Sequence, residues 1–200
     1  MLKLQRLKAI NGKIALVCMA TLLPAAAGCG GKARVETQKP VMVGRPSPDG
    51  KRIRVLLEEN FHVLRIAHST LGPLIRAEAA GRKIRIFRNE EKEPLSADSG
   101  FRFQPSNGKF LEVNGTPYRG LIDVFINPLG VPVAVNELFM ESYLLSVVPK
   151  ELGPEKYPEI EALKAQAVAA RTFALTRIGA EAARGFDLYR DIRSQVYEGT

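Results

Sequence analysis

An α+β fold is what the sequence predicts: an antiparallel, β-rich half packed with a helical segment that contains one long alanine-rich helix. Three observations predict it. From Arg52 onward, apolar and polar residues alternate with period two in short runs. Turn-forming residues of hairpin type separate those runs. Beyond Glu137 the apolar spacing lengthens to that of a helix. With 200 residues, 46% hydrophobic and 25% charged, the chain has the composition of one globular domain plus accessory segments, which excludes disorder throughout.

The β-rich half covers residues 51–137. Ile53, Val55 and Leu57 share one face of a strand, with Arg52, Arg54 and Glu58 opposite. "KIRIF" puts Ile84 and Ile86 on one face in the same way. "FLEV" (110–113) runs into Asn114-Gly115, a dipeptide whose tolerance of positive φ suits a tight hairpin. "YRGLIDVFI" (118–126) reads as the next strand, the turn "NPLG" (127–130) follows, and "VPVAV" leads to a strand end at Asn136.

The helical segment covers residues 138–180. In "LFMESYLLSVV", Leu138, Met140, Leu144, Leu145 and Val148 form an apolar stripe, expected to stop at Pro149. The following stretch, punctuated by Pro149, Gly153, Pro154 and Pro158, reads as a loop. A long helix is expected from Pro158 or Glu159, where a first-turn proline and the carboxylates of Glu159 and Glu161 suit a helix start, with Gly179 as its stop. Its core stripe is Ile160, Leu163, Ala167, Ala174, Leu175 and Ile178; Ala165, Ala167, Ala169 and Ala170 let a neighbour approach closely. Arg171 borders that stripe, so its guanidinium must either pair with a carboxylate or line a wet cavity.

The N-terminus carries a different signal. Residues 1–28 hold Lys3, Arg6, Lys8 and Lys13 with no acid, followed by the apolar run Ile14 to Gly28, too short to span a bilayer. This is the pattern of an export signal. It ends in "AAGC", which resembles the lipobox of bacterial lipoproteins although Ala26 stands where Leu is commoner, so Cys29 is expected to carry a lipid. Residues 29–50, rich in Pro and Gly, read as a flexible tether. The formal charge of +8 falls to +4 once the four leader cations are subtracted, and no basic motif of a nucleic-acid module remains, so nucleic acid is not an expected partner. An anionic polymer stays open. Cys18 lies in the leader and Cys29 at its end, which leaves residues 51–200 without a disulfide or a thiolate metal site.

"VAVNELFMESYLLSVVPKELGPEKYPEIEALKAQAVAARTFAL", together with "YRG" (118–120) and "FDLYRDIRSQVYEG" (186–199), resembles the stage II sporulation protein D family, also called the SpoIID/LytB or amidase-enhancer family. The likeness spans about Ile53 to Thr200. It implies work on bacterial peptidoglycan glycan strands, a possible partnership with an N-acetylmuramoyl-L-alanine amidase, and, with the lipobox, attachment to the outer face of the cell membrane or to the outer membrane; Gly30 after the cysteine suits outer-membrane sorting. The family's sporulation member is a lytic transglycosylase that cuts strands stripped of stem peptides, and the position matching its catalytic glutamate is Glu151. Arg171, of the family's "AART" helix, is implied beside that glutamate. Gln166, Tyr157 and Tyr143 are the implied glycan-binding residues. Tyr157 stands where relatives often carry Trp before proline, whereas Tyr143 by pattern alone reads as a packing residue.

One carboxylate suffices for that chemistry. Ordinary glycosidases use two; in a lytic transglycosylase the 6-hydroxyl of N-acetylmuramic acid attacks internally while one glutamate donates and then recovers a proton, giving a 1,6-anhydro end. Such an acid must be desolvated to hold its proton, and Val147, Val148 and Leu152 are the expected apolar neighbours. Hydrolysis instead would need a second carboxylate, for which Asp187 and Asp191 are the candidates. No cofactor is expected, and no zinc, because Tyr189 and Ser194 stand where some relatives carry ligating cysteines. The spacing from Glu151 to Arg171 exceeds the family's by two residues. The family fold continues past "QVYEG" with strands that complete its groove, so residues 186–200 are expected to end an incomplete version of it. A non-catalytic amidase enhancer or glycan-binding regulator is the alternative function.

Overall fold

A computed structural model describes residues 3–7, 35–38, 50–68, 74–89, 91–105, 110–153 and 159–200. The leader's apolar run, Cys29 and Tyr157 lie outside these residues. The architecture is the expected α+β one: two antiparallel-rich sheets and two helices.

Two short strands come from the segments expected to be leader and tether, β1 (Lys3–Leu7) and β2 (Val35–Gln38), which pair in parallel. They are followed by β3 (Arg52–Glu59), β4 (Val63–His68), β5 (Ile75–Ala80), β6 (Lys83–Arg88), β7 (Leu95–Ala97) and β8 (Phe101–Gln104). Next come β9 (Leu111–Val113), β10 (Thr116–Tyr118), β11 (Leu121–Ile126) and β12 (Pro132–Phe139). β12 runs without a break into α1 (Met140–Leu152); α2 (Ile160–Arg177) and the short β13 (Leu188–Tyr189) complete the chain. One sheet has the order β13-β3-β12-β11-β8-β1-β2 and the other β10-β9-β4-β5-β6-β7.

Strand alternation builds the core. Ile53, Val55 and Leu57 of β3 point into one cluster with Leu64 and Ile66 of β4, Ile84 and Ile86 of β6, and Ile122 and Val124 of β11. Met140, Tyr143, Leu144 and Val147 of α1 enter the same cluster at the i, i+3, i+4, i+7 spacing of one helix face. The opposite face of the first sheet carries a smaller cluster of Leu56, Val133, Val135 and Phe186. A register shift between Ala134 and Val135 re-aims β12 where these two clusters divide it.

Several local readings hold. Asn114 (φ 50°) and Gly115 (φ 86°) form the hairpin turn between β9 and β10. The 127–130 turn closes through Gly130 N–H to the Asn127 carbonyl at 2.9 Å, with the Asn127 side chain accepting from Leu129 and Val131 at 3.0 Å each. Others are corrected. The run 118–126 is two strands, because Gly120 takes φ 85° between them; a Cβ there would lie 2.4 Å from the Glu137 carbonyl oxygen. β12 does not stop at Asn136 but continues to Phe139, so Leu138 is a buried strand residue and not the start of the helical stripe. Leu145, placed on that stripe, is 64% exposed.

Pro149 does not end α1 either. It sits in the last turn, and the helix closes four residues on at Gly153 (φ 63°), whose N–H reaches the Pro149 carbonyl at 2.9 Å. The long helix starts at Ile160, and Ile160 itself is exposed instead of belonging to a core stripe. Ala170 and Ala174 are the fully buried residues of α2, the small side chains that let it close on α1.

Candidate functional site

α1 and α2 pack on each other as a helix hairpin, and residues 195–198 of the C-terminal segment meet α1. Because Arg171 pairs with Glu141, at the start of α1, the helices run antiparallel; Glu151, ten residues further along α1, lies roughly 15 Å away along the axis at about 1.5 Å per residue. The arginine expected beside Glu151 is therefore at the other end of the hairpin. Its Nε and Nη2 donate to Glu141 Oε1 and Oε2 at 3.1 and 2.7 Å, and this bidentate bond, with the Glu141 charge, raises the guanidinium pKa. The pair is not buried: Arg171 is 37% and Glu141 72% exposed, which makes it a weak contributor to stability.

Glu151 sits on the last turn of α1, not in a loop, and is exposed to solvent. Its Oε1 accepts the Val196 N–H at 2.8 Å. The adjacent Lys150 pairs with Glu198 at 2.6 Å and holds that carboxyl below its ordinary range. The end of α1 is thus clamped twice onto the "QVYEG" segment. Of the apolar neighbours expected to shelter Glu151, Val147 is turned into the core, while Val148 and Leu152 are half-buried. Gln166 is half-buried on α2.

Tyr143, counted among the glycan-binding residues, is fully buried and cannot present its ring to a sugar. It donates from its hydroxyl to Gln195 Oε1 at 3.0 Å and stacks on Tyr197, centroids 5.3 Å apart. Tyr197 in turn packs on Tyr118 at 5.8 Å and donates to Asn136 Oδ1 at 2.6 Å. The Asn136 amide donates to the carbonyls of Arg119 and Leu121 at 2.8 and 2.9 Å, so one buried side chain ties "QVYEG" to the "YRG" bend. Gly199 finishes the segment: at φ 82° its Cα passes so close to Pro117 that a Cβ would lie 2.2 Å from the carbonyl oxygen. Sequence reading missed Asn136, Gln195 and Tyr197 as a unit. A signal existed, since Asn136 occupies an inward position between Ala134 and Leu138, and a buried amide needs partners.

Burial raises the pKa of Tyr197, Tyr143 and Tyr118 alike, with desolvation the largest cause in each. The unfolded chain, with phenols near pH 10, therefore loses protons before the native one does. Stability contributed by these groups is intact below about pH 10 and falls above it by about 1.4 kcal/mol per pH unit for each phenol ionised only in the unfolded state. Urea midpoints measured from pH 9 to 11.5 should be flat to pH 10 and then drop, and the drop should be shallower in Tyr197→Phe.

Neither candidate for a second catalytic carboxylate is available. Asp187 is buried, with Oδ2 accepting Arg54 N–H at 2.8 Å and Oδ1 accepting Gly179 N–H at 2.7 Å, which ties the end of α2 to β3. Asp191 is held at a pKa of about 2, chiefly by its hydrogen bonds from Arg193. Tyr189 and Ser194, at the positions of ligating cysteines in some relatives, are close: Tyr189 N–H donates to Ser194 Oγ at 3.1 Å. A hydrogen bond joins the two places.

Residues 131–200 match the family model described as Stage II sporulation protein, SpoIID. A relative from Brachyspira hyodysenteriae, an uncharacterized protein, is 41% identical over 101 residues, which cover 50% of this chain and 26% of that protein. The chain thus spans about a quarter of the length of the curated relative it matches. No solved structure matches. Such a domain points to cell-wall or sporulation-related work. The matched residues take in β12, both helices and the clamped C-terminal segment, a domain match consistent with the SpoIID family.

Proposed function

We propose that this protein engages peptidoglycan glycan strands as a binding partner and enhancer of a cell-wall amidase, exported and held at the membrane through a lipid on Cys29. One observation carries the preference for binding over cutting: the Glu151 carboxyl stands in solvent, with Arg171 committed to Glu141 at the far end of the hairpin. A lone general acid needs a sheltered site, and among the described residues Glu151 is exposed.

Lytic transglycosylation by Glu151 is the second reading. It is favoured by the Val196 N–H that pins Oε1, a positioned carboxylate inside the SpoIID-matched residues. The discriminating experiment incubates the full chain with amidase-stripped glycan and reads the products by mass spectrometry. The binding reading expects co-sedimentation with the strands, no 1,6-anhydro ends, faster stem-peptide release when an N-acetylmuramoyl-L-alanine amidase is added, and retention of binding within twofold in Glu151→Gln. Anhydro ends that vanish in Glu151→Gln would establish cutting.

A further inference from the structure

The outer face of the first sheet carries a charge imbalance that the hairpin does not use. Arg52 and Arg54 of β3, Arg102 of β8, Asp123 of β11 and Glu137 of β12 share this face. Arg102 is buried and donates Nε and Nη2 to Asp123 at 2.6 and 2.7 Å, and Nη2 also reaches Glu137 at 2.8 Å. Desolvation alone would lower the Arg102 pKa; the two carboxylates outweigh it and raise it. Arg54 and Arg52 reach the same acids only at 3.4 Å. Three guanidinium groups therefore share two carboxylates.

Where this network meets the N-terminal end of α1, it opens into a groove of about 370 Å³, within the size range of small-ligand sites. Arg52 and Arg119 line it, each laid over an aromatic ring: Arg52 on Phe139 at 4.3 Å, Arg119 on Phe110 at 5.1 Å. Gln104 and Ser142 add neutral hydrogen-bonding groups, and among the described residues no carboxylate lines it. Among the described residues Arg119 has no ion-pair partner, so the groove holds an uncompensated cation beside one that Glu137 shares between two arginines.

We propose that this groove is a carboxylate-reading glycan subsite, in which Arg52 and Arg119 bind the free lactyl carboxylate of a muramyl residue while Phe139 and Phe110 border the pyranose. The inference rests on the glycan reading above and deepens it. Amidase action converts a neutral lactyl amide into a carboxylate on every muramyl residue, and a planar guanidinium matches a carboxylate with two parallel hydrogen bonds where an amide offers one acceptor. The groove would thus distinguish stripped strands from unstripped ones. It is separate from Glu151, since Ser142 and Glu151 lie nine residues, roughly 14 Å, apart along α1.

The test measures affinity of the full chain, by calorimetry or co-sedimentation, for amidase-stripped strands and for the same strands after carbodiimide coupling to methylamine, which neutralises each carboxylate. Wild type should prefer the acidic strands at least tenfold. Arg119→Gln and Arg52→Gln should each bring acidic strands close to the neutralised level, with unchanged circular dichroism and melting temperature. Arg65→Gln, which removes an exposed cation from β4 of the other sheet, should keep the preference. Equal affinity for the two strand preparations, loss of preference in Arg65→Gln as large as in Arg119→Gln, or no binding of either strand overturns the subsite. Preference without any amidase enhancement leaves the subsite standing and removes the enhancer reading; enhancement without preference does the reverse.

Discussion

Tyr197→Ala is expected to destabilise the protein by about 3–5 kcal/mol, the range for truncating a large buried aromatic side chain. Tyr197 is 1% exposed and lies between Tyr118 and Tyr143, so its removal leaves a cavity that two other rings line. The loss also strands the Asn136 side-chain oxygen, which accepts the Tyr197 hydroxyl at 2.6 Å inside the core. Tyr197→Phe keeps the ring and should cost about 1–2 kcal/mol, the share of the hydrogen bond. Urea unfolding separates the two. The alanine variant should also free the 195–200 segment, since Tyr197 adjoins Val196, whose N–H holds Glu151. Limited proteolysis near the C-terminus should then accelerate well before global unfolding. Unchanged urea midpoints in both variants would mean that the "QVYEG" segment is not docked as described.

Asp123→Ala should be comparably severe, at about 3–5 kcal/mol, because it leaves the buried Arg102 guanidinium with Glu137 alone. Asp123 is 2% exposed at its side chain and takes both arms of Arg102, so water cannot replace the lost partner without opening the sheet face. The double replacement Arg102→Met with Asp123→Leu removes both charges together and should recover most of the loss, since an apolar pair of similar volume needs no desolvation to be undone. Thermal melts of the single and double variants form the comparison. A double variant as unstable as Asp123→Ala would show that the network fixes strand register and not merely charge balance.

These two residues mark different kinds of legibility. Asp123 sits in "LIDVF", an apolar strand whose one acid invites a partner, yet nothing in the sequence says which arginine answers it. Arg102 is 21 residues earlier and comes alongside only because β8 and β11 pair with Arg102 opposite Asp123. Tyr197 lies in a motif readable as a unit, but its burial depends on α1 presenting Tyr143 and β12 presenting Asn136 from opposite sides.

The candidate site divides along the same line. That Glu151 follows an apolar helix and precedes a proline-rich connection was visible in the chain. Its placement on the last turn of α1 is not, because a proline signals a helix stop in the sequence while the αL cap that ends α1 is Gly153. Arg171 pairs with a carboxylate, Glu141, but in solvent and not against the core stripe that its spacing suggests. The antiparallel return of α2 sets that choice by bringing the second half of one helix against the start of the other.

By itself the sequence determined the fold class, the β-rich half, the hairpin at Asn114-Gly115 and the SpoIID domain, because alternation, helical spacing, turn chemistry and motif order are all local along the chain. Only the tertiary structure decided the partner of Arg171, the burial of Tyr143, the exposure of Glu151 and the charge imbalance over the sheet. Each of these depends on which distant segments meet and in what register. A short-range pattern specifies that a polar group needs a partner; packing of the whole chain chooses it.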